Sequence, residues 1–181
     1  EIAKELRDIG VRSAQITIDG TADVHNKRRP LKLGGDSFER IIQNIQEAHN
    51  YLTIMVRVNI DQYNLGNIES LIDYFASNNL QDKIQLSFAP VHNEGKAFKS
   101  DTNATGHSCN SCFAGSIFTV KDFSKHYIRL INYAFEKGFP FYSLQMSKAN
   151  ACSADLAFSY VVEPDGTLQK CWQNISDADE K

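Results

Sequence analysis

A chain of 181 residues, 42% of them hydrophobic, suits one domain or one domain with part of a second, and speaks against disorder. Its 19 basic and 22 acidic side chains give a net charge of −3, which lacks the basic excess of a nucleic-acid binder. No apolar run approaches the ~20 residues that span a bilayer. Four cysteines are too few for a disulfide scaffold of this length, so a cytoplasmic, reducing setting is expected.

The first ten residues read as an amphipathic helix rather than a signal peptide, with Gly10 as its left-handed cap. Ser13 to Gly20 reads as a strand, followed by a polar loop. Asp36 to His49 opens on a capping-box pattern, Asp36 with Glu39, and sets Phe38, Ile41, Ile42 and Ile45 on one helical stripe. Leu52 to Asp61 is a second strand. Asn67 is expected to cap the next helix, whose stripe is Ile68, Leu71, Ile72 and Phe75. Lys83 to Val91 is a third strand, and a polar inserted loop without periodicity covers about 93–115. A last helix starts near Thr119, with Asp122 at the capping-box position, and stops at Gly138. Then Ala151 to Trp172 reads as two short apolar strands around a Pro-Asp-Gly turn, bracketed by Cys152 and Cys171. The alternation predicts an α/β fold on a parallel sheet.

Parallel strands covered on both faces usually read as continuous apolar runs. These alternate instead. Ala14, Ile16 and Ile18 oppose Gln15, Thr17 and Asp19; Ile54, Val56, Val58 and Ile60 oppose Met55, Arg57, Asn59 and Asp61; Ile84, Leu86 and Phe88 oppose Gln85 and Ser87. Each strand therefore has one apolar and one polar face. Two readings fit: a half-open barrel whose lumen holds a polar ligand, or a sheet solvated on one side.

Asp19-Gly20 at a strand end, then His25-Asn26-x-x-Arg29, then Val56 to Ile60 as "VRVNI", then Asn64, Asn67 and Ile68, form an ordered series. Cys152, followed by Gly166-x-x-x-x-Cys171, completes it. In this order the motifs resemble the radical S-adenosylmethionine enzymes, in the branch that carries a SPASM extension. The resemblance implies part of a (β/α)6 partial TIM-type barrel, about three parallel β/α units over residues 1–145. The start of a SPASM or twitch domain would follow over 146–181. It implies that Thr17, Arg57 and Asn59 contact S-adenosylmethionine. It also implies that Cys152 and Cys171 ligate an auxiliary 4Fe-4S cluster, for which thiolates are suitable ligands.

The family's Cys-x-x-x-Cys-x-x-Cys is absent here, as are the later SPASM cysteines. The resemblance thus implies an excerpt of a longer enzyme, itself inactive and with no cofactor bound. The parent would use 4Fe-4S clusters and S-adenosylmethionine to modify a peptide or protein by radical chemistry. A reductant such as flavodoxin or ferredoxin would supply its electron, and neither nucleic acid nor membrane is an expected partner.

Asp19 at the strand's carboxyl end is the candidate catalytic group, because barrel chemistry gathers at that rim. A carboxylate that only accepts bonds from the following turn is an equal alternative. His25 suits a proton carrier or a residue that fixes the loop by hydrogen bonding, and Arg29 suits a partner for a surface acid. Cys109-x-x-Cys112, two residues after His107, fits substrate-side cluster ligands, a zinc knuckle or unmetallated loop thiols. The alternative from a different class is a non-catalytic module with one structural zinc on all four cysteines.

Overall fold

A computed structural model describes residues 2–91, 118–140, 160–162 and 167–170. Two compact units divide the chain, Glu1–Tyr142 and Ser143–Lys181, against an expected boundary after residue 145.

In the first unit the order is α1 (Ile2–Asp8), β1 (Ser13–Thr17), α2 (Ala22–Arg28), α3 (Phe38–Ala48) and β2 (Thr53–Ile60). A 3-10 turn (Leu65–Asn67), α4 (Ile68–Ser77), β3 (Ile84–Pro90) and α5 (Val120–Glu136) follow among the described residues. The three strands are parallel and lie side by side in chain order. Parallel neighbours need a long crossover, and the helices supply it. The fold is therefore mixed α/β, with a three-stranded parallel sheet and helices among the described residues.

Register fixes what stands beside what. Thr17 pairs with Arg57, Arg57 with Ser87, and Asn59 with Ala89. Along β2, Ile54, Val56, Val58 and Ile60 are buried while Met55, Arg57 and Asn59 are half-buried. The apolar row packs in one core with Phe38, Ile42 and Ile45 of α3, with Ile68, Leu71, Ile72 and Phe75 of α4, and with Leu130 of α5. Burying each large aliphatic side chain contributes about 1.5–3 kcal/mol, so this face drives folding and the polar face is left for other work.

Local signals explain the end of α1 and both ends of α5. Past α1, Gly10 at φ 106° donates to the Arg7 carbonyl while Val11 donates to the Leu6 carbonyl, both at 2.9 Å. At α5, Thr119 Oγ1 accepts the Asp122 N–H at 3.2 Å, and Gly138 follows the helix at φ 90°.

Three expectations need correction. The stretch read as a polar loop after β1 contains α2, on which only His25 is buried. Seven residues with one buried position carry too little periodicity to be seen. Helix α3 begins at Phe38, and neither Asp36 nor Ser37 caps it through a side chain. Asn26 Oδ1 does so instead, accepting the N–H groups of Ser37 (3.1 Å) and Phe38 (2.9 Å). Asn67 does stand at the start of α4 but makes no side-chain cap bond. Its amide is engaged by Thr21.

In the second unit, β4 (Val161–Val162) and β5 (Leu168–Gln169) form an antiparallel pair, Val161 opposite Gln169 and Val162 opposite Leu168. Lys170 Nζ lies 4.3 Å from the centre of the Tyr160 ring. The expected turn between these strands, the inserted loop at 93–115, and Cys109, Cys112, Cys152 and Cys171 lie outside the described residues. Among the described residues no helix is long and apolar enough to cross a membrane.

Candidate functional site

Where β1 ends, the Ile18 N–H still donates to the Arg57 carbonyl at 3.0 Å, so the ladder carries Asp19 to the rim of the sheet. There Gly20 turns the chain at φ 156°. A Cβ on Gly20 would sit 2.7 Å from Asn67 Oδ1 and 2.8 Å from a Val24 methyl, so only glycine fits. The close approach lets Asn67 Oδ1 accept the Thr21 N–H at 2.7 Å and its Nδ2 donate to Thr21 Oγ1 at 2.9 Å. The Thr21 hydroxyl in turn donates to Asp23 and holds that carboxyl below the usual carboxylate range.

Asp19 is buried, and both of its carboxylate oxygens are used. Arg29 Nε donates to Oδ2 at 2.7 Å, and Asn59 Nδ2 donates to Oδ1 at 3.3 Å. Asn59 Oδ1 accepts from Arg57 Nε at 2.9 Å. A continuous chain of polar groups thus runs from the loop after α2, through Asp19, to the polar face of β2. Such a chain fixes rotamers as well as charge.

The His-Asn-x-x-Arg motif is read out residue by residue. His25 is fully buried, and its Nδ1 accepts the Asp19 backbone N–H at 3.2 Å. Asn26 caps α3, and Arg29 holds the Asp19 carboxylate. The His25 ring meets Phe38 edge-on with centroids 5.9 Å apart. Burial lowers the His25 pKa below its ordinary 6.5, with the Asp19 charge opposing that shift and the Arg29 charge adding to it.

A second acid was not singled out from the sequence as a site residue. Asp61 has no exposed side-chain surface, and Arg28 Nη2 donates to both of its oxygens, at 2.9 and 3.0 Å. Breaking such a buried pair from one side costs about 3–5 kcal/mol, whereas exposed pairs like Lys4–Asp8 contribute about 1 kcal/mol at most. Asn64 was read from the sequence only as part of the series Asn64, Asn67 and Ile68, without a role in the site. Its Nδ2 donates to the carbonyls of Asp19 (2.7 Å) and Asn59 (2.8 Å), tying the ends of β1 and β2 together. The three-residue spacing of Asp61, Asn64 and Asn67 was the available signal, and it reads equally well as turn and cap.

Of the residues singled out from sequence, Thr17, Arg57 and Asn59 share the polar face and Asp19 joins them at its rim. Among the described residues no group of three or more His, Cys, Asp and Glu side chains is arranged to hold a metal ion. Among the described residues, cavities lie away from this face. One of about 630 Å³ opens at the amino ends of β2 and β3, beside Arg7, Arg12, Tyr51 and Lys83. One of about 490 Å³ lies beside Asn26, Lys27 and Pro30. Comparisons with protein-family models, with curated proteins and with solved structures found no match.

Proposed function

We propose that the polar face of β1 and β2 is the S-adenosylmethionine side of a radical S-adenosylmethionine enzyme of the SPASM branch. The observation that supports this is the register: Thr17 and Arg57 stand side by side, with Asn59 two residues further along the same face. A hydroxyl, a guanidinium and an amide suit the ribose, the carboxylate and the amino group of that cofactor. Their half-burial fits a polar ligand lying on the sheet. In this reading the three β/α units belong to a partial TIM-type barrel, and the β4–β5 hairpin opens a SPASM domain.

Thr17, Arg57 and Asn59 would hold the cofactor, and a reduced 4Fe-4S cluster in the complete enzyme would supply the electron that cleaves it. The substrate class is a peptide or protein side chain. Asp19 acts in this reading through its bonds to Arg29 and Asn59, which orient Arg57; as a buried and doubly bonded carboxylate it sits at the rim as an anchor. Cys152 and Cys171 would ligate an auxiliary cluster.

Anaerobic reconstitution of the complete polypeptide with iron and sulfide tests the proposal. Broad visible absorbance from the iron–sulfur clusters and 5′-deoxyadenosine under strong reductant are expected. Calorimetric titration with S-adenosylmethionine should show binding weakened by about tenfold or more in Arg57→Ala, the loss of one charge-assisted contact. Cluster-loaded protein that forms no 5′-deoxyadenosine would sink the reading.

A further inference from the structure

We infer that His25 is a protonation switch for the Asp19–Gly20 turn, closed while its imidazole is neutral and opened when it takes up a proton. The inference is independent of the ligand proposed above. It rests on how the ring is held. Its Nδ1 accepts the Asp19 N–H at 3.2 Å, so the single proton of the neutral ring is on Nε2. That Nε2 is buried and has no hydrogen-bond partner among the described residues.

Protonation puts a second N–H on Nδ1, pointing at the N–H of Asp19. Donor then faces donor, and the ring has no exposed surface through which water could stabilise its charge. The charged groups that act on His25 are Asp19, from the end of β1, and Arg29, beyond α2. From α3 it meets Phe38, which does not titrate. Asp19 favours the cation while Arg29 and burial oppose it, and burial is the largest effect. Relief comes when the turn lifts from the ring. Because Asp19 holds Arg29 and Asn59, and Asn59 holds Arg57, opening the turn releases the whole polar chain.

Hydrogen exchange on the 181-residue chain, read by NMR as protection factors between pH 7.5 and 5, tests this. Below the ordinary histidine pKa of 6.5, Asp19 amide protection should fall by about tenfold per pH unit, one proton being taken up on opening. At every pH it should also stay below the protection of the Val56 and Val58 amides, which marks the opening as local. His25→Gln, which keeps an acceptor that does not titrate, should flatten the Asp19 profile. A flat profile in the unmodified chain overturns the switch, whatever the variant does. So does Asp19 protection equal to that of Val56 and Val58 throughout, or a slope unchanged in His25→Gln.

Discussion

Asp61 and Asn64 hold one another. The Asp61 N–H donates to Asn64 Oδ1 at 2.9 Å, and the Asn64 N–H donates to Asp61 Oδ1 at 3.1 Å. Both side chains are fully buried, and between them they bind Arg28, the Tyr63 N–H and the carbonyls that close β1 and β2. These bonds tie the ends of β1 and β2 to one another at the rim of the sheet.

Asn64→Ala should lower stability by about 2–3 kcal/mol, because two buried carbonyls and one N–H lose their partner together. Asn64→Asp should do no better, since it removes the donor and adds a charge beside Asp61. Urea denaturation followed by circular dichroism measures both. A loss below half a kilocalorie in Asn64→Ala would mean these bonds do not tie the strands together.

Gly20→Ala should cost about 1–3 kcal/mol, since its methyl meets Asn67 and Val24 at contact distances below 3 Å. Gly66→Ala is the control, because a methyl there meets open space. Thermal melts of the two variants should separate clearly, and equal melting temperatures would contradict the close approach.

Asn26→Ala should destabilise by about 1–2 kcal/mol through the loss of the α3 cap, although Asn26 lies on another helix. Asn26→Asp should retain most of that stability, as a carboxylate accepts the same two N–H groups and suits a helix amino terminus. An Asp variant as unstable as the Ala variant would assign Asn26 a different role.

Overall stability should fall as the solution is acidified below about pH 6.5. His25 has a pKa lowered by folding, so the unfolded chain binds the proton first. Its contribution is fully present above 6.5 and is lost as pH falls toward the depressed native value. Urea midpoints measured at several pH values should decline over that window and decline less in His25→Gln. Identical slopes in the two proteins would remove His25 as the cause.

Strand and helix periodicity was legible because it is local. Ile54, Val56, Val58 and Ile60 alternate with Arg57 and Asn59 in the chain itself, and their burial follows the same period. The stripes of α3 and α4 were readable for the same reason, being repeats that one element imposes on its own residues. Helix α2 was not, because seven residues with His25 as the single buried position carry no repeat.

The site divided along the same line. Chain order alone placed Thr17, Arg57 and Asn59 on polar strand faces and brought Asp19 to a strand end, because side-chain direction along a strand is fixed by geometry. Which partners these groups take was decided only in three dimensions. Asn26 caps a helix 11 residues away, Asn67 reaches back 46 residues to Thr21, and Asn64 spans 45 residues to Asp19. An asparagine looks the same in sequence whether its amide caps its own helix or crosses a rim, since both uses demand the same donor and acceptor. Packing chooses between them, through the distance at which the folded core sets one loop from the next.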